Sequence, residues 1–452
     1  MPEGHRPVTA PAPDEIEDSP SARLFERAKA VMPGGCSRNT VLRKPYPLYA
    51  ARGEGCYIID IAGTRRIDFA NNMASLIHGH AAPGIVDAVK RQVSLGTGYT
   101  MATEVEIEYA EHMVARVPAF DKIRFVNSGT EAVMSVIKAS RACTGRRKIA
   151  KVEGAYHGLY DYAEVSQTSN PGNWGSEERP ESVPVAYGTP PSALDEVIVI
   201  PFNDFPRAET ILEKFRDELA CVLIDLVPHR VGMIPATGEF LTGLREWTRR
   251  NNVLLACDEV ITFRCDYRGA QTMLGVEADL TALGKMIGGG FPVGAVAGRD
   301  EVMRVLDPLA DRVLFPHSGT FSANPVTMVA GKAAMEAFDQ EAVLRLNELG
   351  QLARRSLTEA AAVADFPASV TGVGSMFRIH MAPKPPQNYR QVFPSPAQTA
   401  ATQMFLDYMV DHGILLINTC SGMLSTPMES REIDILAETA VGAFRHARQA
   451  LA

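Results

Sequence analysis

Lys285 is the only charged residue between Asp279 and Arg299, in the segment DLTALGKMIGGGFPVGAVAGR. An amine set among apolar residues and glycines loses hydration. Desolvation disfavours the ammonium form and leaves a better nucleophile. Glycines 288–290 would let the backbone pass close to a bound molecule. Asp258 lies at the end of a second apolar run, VLLACDEV. A carboxylate there is costly to bury without a partner. The N–H of a protonated pyridine ring would satisfy it, and its charge would keep that ring electron-withdrawing.

Two further segments could complete a site. Asn127-Ser128-Gly129-Thr130-Glu131-Ala132 follows the apolar run IRFV and opens a helical stretch. A Ser-Gly-Thr turn there would aim free backbone N–H groups, a helix dipole and two hydroxyls at one point, which suits a phosphate. Tyr156-His157-Gly158 follows KIAKV, and an aromatic at a strand end can stack on a flat ring. Each feature has an ordinary explanation when taken alone: a helix cap, a strand-end aspartate, a loop lysine, a packed tyrosine. Their order along one stretch of chain makes them a consistent site. His78-Gly79-His80 has no third ligand at useful spacing, so no metal is expected.

The elements that must carry these residues are legible as alternating patterns. Strand candidates are 123–126, 148–152, 221–227, 253–260, 280–284 and 293–298, all with near-continuous apolar runs. Such runs are typical of parallel strands covered on both faces. Helical stretches at 130–143 and 240–250 lie between them, which predicts an α/β domain. A short helix is expected at 21–32 and a hairpin at 56–70. After about residue 325 the pattern is helix-rich, with a late strand pair near 369–380 and 413–419. The expected organisation is therefore an arm at 1–20, an N-terminal segment at 21–74, a large α/β domain at 75–325 and a smaller α+β domain at 326–452. The N-terminal segment joins that smaller domain.

Composition bounds the function. The chain has 452 residues, 46% hydrophobic and 22% charged, which is enough to bury a sizeable core. A net charge of −8 with no long basic run argues against nucleic-acid binding. No run approaches the roughly 18 apolar residues of a membrane span. Residues 1–20 are polar and proline-rich and read as a flexible arm, not as a secretory leader. The seven cysteines form no CxxC pair and read as reduced core cysteines of a cytoplasmic protein.

Taken together, the motifs resemble those of the class III aminotransferases, which are fold-type I pyridoxal-phosphate enzymes. The likeness is greatest to the branch holding glutamate-1-semialdehyde 2,1-aminomutase and the β-amino-acid aminotransferases. It spans roughly residues 20–450 and rests on seven segments: MPGG (32–35), FVNSGTEAVM (125–134), EGAYHG (153–158), DEVITFR (258–264), 279–299, HSGTFSANP (317–325) and TGVGSMF (370–376). The resemblance implies a mostly parallel, seven-stranded-type sheet in the large domain and pyridoxal 5'-phosphate as cofactor. It implies that Gly129 and Thr130 bind the phosphate beside Ser128, and that Tyr156, with His157 next to it, stacks on the ring. Asp258 would meet the ring nitrogen, Val260 would pack on the opposite ring face, and Lys285 would hold the cofactor as a Schiff base. Thr320 would reach the phosphate of a neighbouring subunit, implying a homodimer with shared sites.

The chain also departs from the family pattern. The usual Glu-Pro is Asp225-Leu226 here, and the following Val227-Pro228-His229-Arg230 lacks the Gln or Asn that meets the cofactor's ring hydroxyl. His229 or Arg230 could replace it. The aminomutase has a tryptophan near Met73, and Ser421 stands where the β-amino-acid enzymes have a second arginine. Arg38, after Pro33-Gly34-Gly35, is expected to bind a substrate carboxylate, with Met73 and Arg230 as further substrate contacts. The expected activity is amino-group transfer from an amine or β-amino acid to a keto acid or aldehyde, by a ping-pong mechanism. An aminomutase and a non-catalytic cofactor-binding protein are the alternatives.

Overall fold

The structure is a computed structural model that describes residues 19–451. The arm expected at 1–20 thus lies almost wholly outside the described residues. Among the described residues fourteen strands follow in chain order: β1 Ala50–Glu54, β2 Tyr57–Asp60, β3 Arg65–Asp68, β4 Lys122–Val126, β5 Lys148–Val152, β6 Val197–Ile200, β7 Leu219–Ile224, β8 Leu254–Asp258, β9 Leu280–Gly284, β10 Gly294–Gly298, β11 Ser369–Thr371, β12 Met376–His380, β13 Ile414–Leu415 and β14 Ser421–Met423.

The apolar runs assemble into one seven-stranded sheet, ordered β4-β10-β9-β8-β7-β5-β6. Strands β7, β9 and β10 are buried at every position. Alternation splits their side chains between two apolar layers. Cys221 and Leu223 face the layer of Val133, Val136 and Ile137, from helix Gly129–Thr144. Val222 and Ile224 face the layer of Phe240, Leu244 and Trp247, from helix Gly238–Arg250. Covering on both faces explains why these strands read as continuous apolar runs.

Strand β10 is antiparallel to both its neighbours, while the pairs among β5–β9 are parallel. A parallel return needs a crossover of a dozen or more residues. Only the short loop containing Lys285 joins β9 to β10, so the chain must turn back on itself. Strand β6, the run VIVI, was not among the expected strands. Four residues before a proline carry too little periodicity to be told apart from a loop.

The N- and C-terminal segments form the smaller part. Helices Gln340–Val363, Pro396–Asp411 and Ser430–Ala447 pack with a three-stranded sheet, β11-β12-β14. The expected pairing of 369–380 with 413–419 does not occur. Strand β12 pairs with β11 and β14, whereas β13 runs parallel to β3 in the sheet β1-β2-β3-β13. Only Ile414–Leu415 of the expected run forms a strand, and a turn over residues 418–420 with Cys420 left-handed carries the chain to the other sheet.

Candidate active site

Strands β4, β5, β7, β8 and β9 run in one direction, and their carboxyl ends reach one edge of the sheet. In open α/β sheets that edge faces the ligand crevice. A cavity of about 390 Å³ lies there. Its wall brings together Arg38, Met73, Ser128, Gly129, Thr130, Tyr156, His157, Asp258, Val260 and Lys285. These residues are up to 247 positions apart in sequence, and the fold makes them one constellation.

The cradle forms because Ser128 caps helix Gly129–Thr144. Its Oγ accepts from Glu131 N–H at 3.1 Å, and Glu131 Oε2 accepts from the N–H of Asn127 at 2.7 Å. The first internal bond of the helix is Ala132 N–H to Ser128 O. The N–H groups of Gly129 and Thr130 precede it and point out of the helix end, as an anion requires. The surrounding loops approach so closely that side chains would intrude. A Cβ on Gly129 would lie 2.8 Å from Val260 Cγ1, and one on Gly158 would lie 2.6 Å from Thr130 Oγ1.

Asp258 is held from two sides. Its Oδ1 accepts from Val260 N–H at 3.0 Å, and its Oδ2 lies 2.8 Å from His157 Nδ1. Burial depresses the basicity of His157, so the imidazole is neutral with its proton on Nδ1, facing Asp258. His157 Nε2 is then a lone pair, and it is buried without a partner. His157 therefore orients Asp258 rather than adding a charge to the site. Its loop is fixed from below. Lys151, wholly buried, donates from Nζ to Ala155 O at 3.0 Å and to Val165 O at 2.5 Å. Arg390 grips Glu153 through two bonds of 2.9 and 3.0 Å.

Lys285 begins the turn after β9, with a left-handed φ of 51°. A non-glycine residue there carries strain that the surrounding fold must hold, a feature common at functional sites. Burial lowers the basicity of the Lys285 amine, against the opposing pull of Asp258 and Asp225. Desolvation of that kind makes an amine a readier nucleophile. The fit to pyridoxal phosphate is thus met by residues of this chain: an open helix end for the phosphate, a carboxylate pinned for a ring N–H, and a desolvated amine lining the same cavity.

One expected substrate contact is placed elsewhere. Arg230 does not line the cavity. Its guanidinium lies 5.0 Å over the Tyr156 ring and donates to Gln167 O at 3.2 Å, which positions it to support Tyr156 rather than to touch substrate. His229 meets the same ring edge-on at 5.9 Å, and burial beside Lys285 and Arg230 pushes its pKa down to about 3. Thr320, expected to reach the phosphate of a neighbouring subunit, is exposed on this chain. Sequence reasoning also missed two contributors. Asn72 stands at the cavity mouth beside the expected Met73, within the left-handed run of residues 71–74. Asn72 Oδ1 there accepts from Arg38 Nη1 at 2.6 Å. Asp225 lines the cavity at the end of β7. It carried the same signal as Asp258, a carboxylate closing an apolar run.

Known proteins share this architecture. An ω-transaminase from Sphaerobacter thermophilus superposes with a TM-score of 0.94 at 48% identity, covering 97% of this chain and 100% of its own. A β-phenylalanine aminotransferase from Variovorax paradoxus gives 0.85 at 32%, covering 97% and 96%. A glutamate-1-semialdehyde 2,1-aminomutase from Methanothermobacter thermautotrophicus is 38% identical over 396 residues, 87% of this chain and 90% of that protein. The family model for class-III aminotransferases matches residues 40–429, and the chain belongs to that family.

Proposed function

We propose that this enzyme transfers an amino group from an amine or β-amino acid to a keto acid or aldehyde, with Lys285 as the cofactor-holding and proton-moving residue. The cofactor is pyridoxal 5'-phosphate, which when bound supplies an electron sink for charge developing on the substrate. The observation that carries the reading is one cavity lined by the desolvated Lys285, the pinned Asp258 and the N-terminal residues of helix Gly129–Thr144.

Each residue then has a defined task. The N–H groups of Gly129 and Thr130 bind the phosphate, with Ser128 holding the turn. Tyr156 and Val260 bound the ring on its two faces. Asp258 accepts the ring N–H. Lys285 Nζ would move the proton from the amine-bearing carbon of the substrate. Borohydride reduction followed by peptide mapping tests the assignment. The cofactor is expected on the peptide containing Lys285, and labelling of another lysine would overturn it.

Arg38 reads as the substrate carboxylate site. It lies at the cavity mouth, and its hydrogen bond to Asn72 presents the guanidinium there. Arg38→Ala is expected to raise KM for carboxylate substrates by roughly tenfold to a hundredfold, the cost of one charge-assisted hydrogen bond. Simple amines should be little affected. Unchanged kinetics for every carboxylate substrate would remove Arg38 from the pocket. An aminomutase reading is compatible with the same cofactor residues, and relatives such as the Methanothermobacter protein carry that name. A donor and acceptor screen separates the two: a transaminase passes the amino group to a second carbonyl compound, whereas an aminomutase returns it to the carbon skeleton it came from.

We further read the enzyme as a homodimer in the cytoplasm. Leu95, Met101, Leu309 and Phe321 are exposed apolar side chains, and Phe321 adjoins Thr320, whose family role lies across a subunit boundary. All seven cysteines are free, which suits a reducing compartment. Among the described residues no helix is long and apolar enough to cross a membrane.

A further inference from the structure

Asp225 and Asp258 end neighbouring parallel strands in matching register. Ile224 on β7 pairs with Cys257 on β8, so the two carboxyls follow side by side. Both line the same cavity, and they are only 5% and 6% exposed. Two carboxylates this close in a water-poor site do not both ionise readily. The hydrogen bonds indicate which one keeps the charge. Asp258 receives two donors, Val260 N–H and His157 Nδ1–H. Asp225 receives one, from Val227 N–H to Oδ1 at 2.9 Å.

We propose that Asp225 is the proton-carrying member of this pair and that its carboxylic O–H donates a hydrogen bond into the cavity, to the anionic ring oxygen of the bound cofactor. The proposal rests on the cofactor reading above and adds a residue to it. Burial and the neighbouring Asp258 hold the Asp225 proton on, with Glu259 acting in the same sense and Lys285 against it. Val227 N–H at Oδ1 leaves Oδ2 as the oxygen that can bear the proton. A chain lacking the usual Gln or Asn donor after this strand gains one at its end. No proton changes hands: a neutral acid supports a phenolate, as an amide would.

The test uses two variants and two readouts. Asp225→Asn keeps a donor of similar shape, and Asp225→Leu removes it. The infrared spectrum of the enzyme stripped of cofactor, at neutral pH, is expected to show a carboxylic-acid C=O band that Asp225→Asn abolishes. Subtracting the variant isolates this band from other buried acids such as Glu259. Cofactor affinity, read by titrating pyridoxal phosphate and following the bound cofactor's absorbance, should stay near wild type in Asp225→Asn. It should fall roughly tenfold to a hundredfold in Asp225→Leu. Absence of the acid band, or an Asp225→Asn that binds as weakly as Asp225→Leu, would overturn the proposal. Should Asp225→Leu not fold, the infrared difference from Asp225→Asn decides by itself. Borohydride trapping at Lys285 in Asp225→Asn keeps the two readings apart. Trapping there with no acid band refutes only the role of Asp225, whereas trapping at a different lysine refutes the site.

Discussion

Lys285→Ala is expected to abolish turnover while leaving the fold intact. The loss has two sources. The amine that moves the substrate proton is gone, and positioned proton transfer alone contributes about 10²–10⁴-fold. The covalent attachment is gone as well, and with it the step that exchanges one amine for another. The side chain lies beside Asp258 and Asp225, so removing it also takes an amine away from both carboxyls. The variant should still bind the cofactor through the helix end at Gly129 and Thr130. Circular dichroism should be unchanged, and borohydride should fix no cofactor to the chain. Small primary amines added to the solution should restore part of the rate, because the cavity vacated by the lysine can admit them. Substantial turnover without added amine would show that another group moves the proton.

Asp258→Asn is expected to cost about 10²–10³-fold in turnover, the scale seen when one preorganised electrostatic partner is removed. The substitution preserves shape and removes charge. It also disturbs the hydrogen bonds. Asp258 accepts on both oxygens, from Val260 N–H and from His157 Nδ1–H. An asparagine must turn its NH₂ toward one of those donors. His157 could accept at Nδ1 by moving its proton to Nε2, but that atom is buried with no acceptor. The variant should therefore lose some stability as well as most activity. Near-normal kcat would show that the ring nitrogen has a different partner.

Much of the fold and of the site could be read along the chain. The strands were visible because burial on both faces demands continuous apolar runs such as LACVLI and LTALG. The chemical groups were visible because each breaks such a run at its end. Lys285 interrupts a long uncharged stretch, Asp258 closes one, and Ser128 opens a helix in a pattern set by local capping. These signals are local: the backbone period, the cap and the absence of other charge all lie within a few residues of the group concerned.

What the sequence left undetermined depends on contacts that have no local signature. Strand β13 belongs with β3 because Ile414 meets Ile67 across the two ends of the chain, and two residues cannot announce a partner. Arg230 follows the strand that carries Asp225, yet packing over Tyr156 takes it off the cavity wall. His157 reaches Asp258 from a different strand end, 101 positions away, and only the sheet order β8-β7-β5 makes that approach possible. Asp225 stands beside Asp258 only through the register of β7 on β8. A one-residue slip would send each strand's side chains to the opposite layer, so burial of both apolar faces fixes that register. The sequence by itself determined which residues could do chemistry, because burial and capping act within a few residues. The tertiary structure alone decided which of them meet, because strand register and packing are settled by the whole core.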